Sequence, residues 1–171
     1  FYINSSLHVA LSAFALVSMT QYFFGVEEDF SVAFFAFFGT VIGYNFVKYD
    51  AIARLNKTEI KKELKVIVFL SFISLLACFY FFLQLSWMSK VSAFAFFGLT
   101  LLYTLPFFPN KQNARNWKGV KIYIVGITWV GVTVILPLVE AEIPFSKDVL
   151  LMVLQRFLLV FSIVLVFDIV D

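Results

Sequence analysis

Asn45, Asp50, Asp168 and Asp171 are the residues of this 171-residue chain whose types and spacing point to chemistry. They stand at the ends of two apolar runs, in the segments GYNFVKYD and VFDIVD. On a helix of about 3.6 residues per turn, Asp168 and Asp171 share one face, as do Asn45, Lys48 and Tyr49. Asp50 lies roughly 140° from Asn45 and joins that face only if the helix unwinds there. Carboxylate and amide oxygens at the ends of two neighbouring helices suit Mg²⁺, which takes one or two carboxylates together with substrate phosphates. Basic residues in nearby connections would neutralise a phosphate-bearing headgroup. A plainer reading stays open, in which Asp168 and Asp171 end a helix at a water interface.

Other polar residues in apolar surroundings point elsewhere. Arg156, beside Gln155, sits inside an apolar run. An arginine there faces a helical bundle or reaches outward, and pairing with a carbonyl or polar side chain of a neighbouring helix is the expected role. His8 is expected to be a hydrogen-bonded bystander. Cys78 is the single cysteine, so an intrachain disulfide and a cysteine-based zinc site are excluded. It is expected to serve as a small buried hydrophobe. No nucleotide-binding glycine loop, zinc-binding histidine motif or nucleophile elbow occurs. The net charge of +2 gives no argument for nucleic acid.

The elements that must carry these residues are apolar helices. The chain is 62% hydrophobic and 14% charged, with 24 phenylalanines and a mean hydropathy of +0.95. A soluble domain is nearer half apolar and a quarter charged, so lipid must cover part of this surface. A transmembrane helix needs about 20 apolar residues. Six stretches are expected to span: Ser5–Phe24, Val32–Tyr49, Val66–Leu83, Val91–Phe108, Val120–Leu138 and Val149–Phe167. Their apolar residues are continuous, not alternating, which excludes a transmembrane barrel. The fold expected is an all-α, polytopic transmembrane bundle.

Charge fixes its orientation. The second and fourth connections and their flanks carry Lys48, Arg54, Lys57, Lys61, Lys62, Lys65, Lys111, Arg115, Lys118 and Lys121. The first, third and fifth carry only Lys90 and Lys147, alongside Glu27, Glu28, Asp29, Glu140, Glu142 and Asp148. By the positive-inside rule the even-numbered connections and the N-terminus face the cytoplasm, in the cell membrane. Asp171 falls on the same side. Trp87, Trp117 and Tyr103 fall at the expected interfaces. Gly39 and Gly43, and also Gly126 and Gly131, are candidates for close helix approach. Pro106 and Pro137 are expected to end or kink helices. No internal repeat or linker is evident, so residues 1–171 read as one helical domain. The chain opens on Phe1 and closes on Asp171 directly after an apolar run, so it is expected to be a piece of a longer protein.

The whole chain resembles the UbiA superfamily of intramembrane prenyltransferases, as roughly the first two-thirds of a nine-helix bundle. Members carry an Asn/Asp-rich motif at the cytoplasmic end of the second helix and a second Asp-rich motif at the end of the sixth. Asn45 in GYNFVKYD and Asp168 and Asp171 in FDIVD match those positions. Members also carry a basic connection between the fourth and fifth helices. Here it reads YTLPFFPNKQNARNWKGVK, with Tyr103, Lys111, Arg115, Lys118 and Lys121. The first motif departs from the family pattern: Phe46, Tyr49 and Ala53 fill its aspartate positions, and Asp50 is one residue out of register.

The resemblance implies Mg²⁺-dependent transfer of an isoprenyl group from an isoprenyl diphosphate to a lipophilic acceptor. It assigns Asp168 and Asp171 to catalysis as metal ligands, with Asn45 and Asp50 as further ligands. Lys111, Arg115, Lys121, Lys48 and Tyr103 become diphosphate contacts. Two alternatives carry the same composition: a non-catalytic bundle with a lipid-binding or assembly role, and a small transporter with Arg156 on its pathway.

Overall fold

A computed structural model describes residues 2, 4–27, 30–55, 62–105 and 119–170, with the side chains of 50–55, 62–63 and 167–170 left aside. Among the described residues six helices follow one another: α1 (Leu7–Phe23), α2 (Phe30–Leu55), α3 (Lys62–Gln84), α4 (Trp87–Thr104), α5 (Val120–Glu140) and α6 (Lys147–Val170). No strand occurs among the described residues. Four of the helices, α2, α3, α5 and α6, are long and apolar enough to cross a membrane. Six spans were expected. α1 has 17 residues and α4 has 18, so they reach only about 26–27 Å against a hydrocarbon core of about 30 Å. Polar residues Ser89, Lys90 and Ser92 further dilute the start of α4.

The chain divides into two compact units, Phe1–Leu85 and Ser86–Asp171. In the first, α2 packs against both α1 and α3. Register follows from side-chain pairs. Tyr49 on α2 meets Asn4 ahead of α1, and Phe34 meets Phe14, so α1 and α2 are antiparallel. Ser31 meets Gln84 and Asn45 meets Ser71, so α2 and α3 are antiparallel too. Ala10, Ala13 and Val17 of α1 and Val32, Ala33 and Ala36 of α2 are all buried, and the four alanines among them are small enough to let the helices approach. Of the glycines expected to do this, Gly39 and Gly43 do not. A Cβ on Gly39 would lie 3.8 Å from Cys78 Sγ, an ordinary contact, and one on Gly43 would meet nothing within 4 Å. Stacked rings of Phe34, Phe38 and Phe81 fill the α2–α3 seam instead.

α1 stops in a Schellman turn. The Val26 N–H donates to the Gln21 carbonyl at 3.0 Å and the Gly25 N–H to Tyr22 at 3.2 Å, with Gly25 at φ 63°. Glycine adopts that angle without a Cβ clash.

In the second unit, α5 packs against both α4 and α6. Ser86 meets Glu140, and the Phe96 ring lies against Gly131, so α4 and α5 are antiparallel. Tyr123 meets Phe161, and Gly126 meets Phe157, so α5 and α6 are antiparallel. α5 does not end at Pro137 but runs on to Glu140. A π-helical turn, Gly131–Ile135, comes just before the proline, and the Leu136 N–H bonds back to the Gly131 carbonyl. Proline has no N–H and its ring crowds the carbonyl four residues back, so a wider turn at that point keeps the helix continuous.

Apolar side chains remain widely exposed, including Phe69, Phe72, Phe79 and Tyr80 on α3 and Leu150, Leu154 and Leu158 on α6. In water such continuous faces drive association, whereas hydrocarbon solvates them.

Candidate functional site

Asn45 is the sequence-singled residue with the most unusual setting. It lies on α2 one turn before Tyr49, where the apolar span Phe30–Tyr49 ends, about 6 Å inside that end. It is only 3% exposed. Its Nδ2 donates to Ser71 Oγ on α3 at 3.0 Å, and Ser71 Oγ donates to the Ile67 carbonyl at 2.9 Å. Its Oδ1 is buried and has no hydrogen-bond partner among the described residues. An unsatisfied buried acceptor costs about 1–3 kcal/mol, so native proteins seldom keep one without a use. An amide oxygen so placed suits a cation or a hydrogen-bond donor.

Lys48 and Tyr49 stand beside it and face the other neighbour. The Tyr49 hydroxyl donates to the Asn4 carbonyl at 2.7 Å, and Lys48 Nζ reaches the same oxygen at 3.5 Å. Lys48 Nζ also lies 5.5 Å from the Tyr49 ring centre, within range of a cation–π attraction. The face shared by Asn45, Lys48 and Tyr49 is therefore divided: the amide turns to α3, and the other two to the turn before α1. Lys48 is exposed, leaving an ammonium near the C-terminal end of the span.

Asp50 lies in α2, whose backbone stays helical through Leu55. The unwinding that would bring Asp50 onto the Asn45 face does not occur, and the two remain roughly 140° apart around the axis. The Asp50 side chain lies outside the described residues.

In the second unit, Tyr103 stands at the C-terminal end of α4 and Lys121 in the first turn of α5; both are half-buried. The antiparallel register puts these two ends on the same side of the unit. α6 also runs toward that side, and Asp168 belongs to its last turn. The Asp168 side chain, and Lys111, Arg115, Lys118 and Asp171 altogether, lie outside the described residues. No group of three His, Cys, Asp or Glu side chains is gathered for a metal among the described residues. Asn45 Oδ1 is thus the described donor that fits an oxygen-preferring ion.

Sequence reasoning missed three features. Ser71 orients Asn45, yet a serine in an apolar run carries no signal beyond its type. An apolar cleft of about 310 Å³ runs along α4, α5 and α6, lined by Phe96, Ile127, Gly131, Leu150, Leu154 and Phe157 among others. The π turn at its floor follows from no sequence pattern, although Pro137 marks the neighbourhood. Arg156 is 2% exposed, so it faces the interior of its unit and does not reach outward. Its Nη2 lies 4.0 Å from Met152 Sδ.

No protein-family model matches the chain, and no curated protein or solved structure matches it.

Proposed function

We propose that the chain is part of an intramembrane prenyltransferase of the UbiA type, spanning the cell membrane six times with its basic connections in the cytoplasm. The observation that carries this reading is the buried Oδ1 of Asn45, unpartnered among the described residues, one turn inside the basic end of α2. In the proposal it is a ligand of Mg²⁺, and Asp168 and Asp171 keep the metal-ligand roles that the family resemblance assigns to them. When bound, Mg²⁺ would offset the charge that develops on the diphosphate as the allylic carbon–oxygen bond breaks.

The protein's own groups have definite tasks. Lys48 and Lys121, with Lys111 and Arg115, supply fixed positive charge to the diphosphate oxygens. Tyr103 would donate a hydrogen bond at the same end of its unit. The apolar cleft along α4, α5 and α6 suits an isoprenoid tail, because its lining residues begin about 10 Å along α5 from Val120, beyond the polar end. Its walls exclude water from the allylic carbon, which favours transfer over hydrolysis.

The test is prenyl transfer in membranes by the full-length protein with added Mg²⁺. Asp171→Ala and Asn45→Ala should each abolish turnover while leaving the protein folded. Unchanged turnover in Asp171→Ala removes that residue from the mechanism.

One observation favours a second reading, a non-catalytic bundle that holds a lipid. Two of the aspartate positions of the first motif are filled by residues with other roles: Phe46 is exposed and apolar, and the Tyr49 hydroxyl is bonded to Asn4. That reading expects a bound lipid but no Mg²⁺-dependent turnover in the wild type.

A further inference from the structure

Ser71 determines which end of the Asn45 amide is free. A serine hydroxyl has one proton, and here it is donated to the Ile67 carbonyl one turn back on α3, at 2.9 Å. Serines in helices commonly bond their own backbone in this way. The oxygen can then only accept, so it must meet the NH₂ side of the amide, and Asn45 Nδ2 lies 3.0 Å away. The amide oxygen is consequently turned away from Ser71, buried and unpartnered among the described residues. With the proton of Ser71 engaged elsewhere, the reversed amide would set two acceptors against each other.

We propose that Ser71 is a positioning residue, whose back-bonded hydroxyl sets the polarity of the Asn45 amide so that its oxygen is presented to a divalent cation. The inference rests on Asn45 being a metal ligand, as proposed above, and concerns a residue of a different helix that touches neither metal nor substrate. Groups that orient metal ligands from behind typically contribute 10–100-fold to affinity. A carboxylate at position 45 would not need this help, because both of its oxygens accept.

The probe is Mn²⁺, titrated into the full-length protein in detergent and followed by the loss of the free-ion electron paramagnetic resonance signal. Ser71→Ala should weaken binding by about 10–100-fold, and Ser71→Thr, which keeps the hydroxyl, should restore it. In an Asn45→Asp background, Ser71→Ala should have little effect, within about threefold. A role in packing alone would weaken both backgrounds alike, and that result overturns the proposal. If Asn45→Ala loses Mn²⁺ while Ser71→Ala binds it like the wild type, the positioning role falls and the ligand remains. If Asn45→Ala binds Mn²⁺ normally, or the wild type binds none, Asn45 is not a ligand and both readings fall.

Discussion

The aromatic ring of Phe96 on α4 occupies the space that the Cβ of any larger residue at Gly131 on α5 would need. Three ring atoms crowd that position, and the glycine stands at the start of the π turn. A rigid ring cannot swing aside as the end of a flexible chain can. Gly131→Ala should therefore destabilise the protein by about 1–3 kcal/mol, the usual cost of overpacking. Phe96→Leu in the same chain should recover part of it. Gly43→Ala is the control: nothing lies within 4 Å of its Cβ, so stability should hold or rise. Thermal unfolding in detergent measures all three.

Glu140 and Ser86 make a capping box divided between two helices. Both carboxylate oxygens of Glu140, in the last turn of α5, accept the Ser86 N–H, at 3.1 and 3.0 Å. Ser86 Oγ in turn accepts the Ser89 N–H at 3.3 Å, closing the start of α4. The arrangement satisfies two donors that a helix start leaves open, as a capping box within one helix does. Glu140→Ala should cost about 0.5–2 kcal/mol, read as a lower melting temperature, and Glu140→Gln should lose less because one acceptor remains. Equal melting temperatures for Ala and wild type would show that water replaces the carboxylate at no cost.

Two residues further on, Glu142 sits at φ 53°, a conformation that side chains with a Cβ adopt at a cost. It occupies the reversing position of a Schellman turn, with the Glu142 N–H donating to Val139 at 3.2 Å and the Ile143 N–H to Leu138 at 2.9 Å. Gly25 fills the same position after α1. Glu142→Gly should stabilise the protein by about 1 kcal/mol, or roughly 2–4 °C in melting temperature for a chain of this size. A fall in melting temperature would mean that the Glu142 side chain contributes more than the strain it brings.

The proposed orientation is open to chemical labelling. In a chain made cysteine-free by Cys78→Ala, single cysteines replace Glu27 in the first connection and Lys57 in the second. A membrane-impermeant maleimide should label position 27 in intact cells and position 57 only after permeabilisation. Reversed labelling would invert the proposed topology.

Sequence alone determined the helical class, the order of the helices and roughly where each apolar run lies. Those features depend on the length of each apolar run and on charges that cannot enter hydrocarbon, so each segment carries its own signal. It also determined that Asn45 is a polar group in a place where polarity is expensive. Periodicity names the residues on one helix face but not the helix that meets it, and tertiary structure decided those partners. It chose Ala10, Ala13 and Ala36 over Gly39 and Gly43 as the points of close approach. It set Ser71 behind Asn45 across 26 residues of chain, and Glu140 onto Ser86 across 54. It kept α2 helical past Asp50, so that position stays off the helix face it would have joined. Contacts of this kind come from packing complementarity between distant segments, and no local pattern of residues records it.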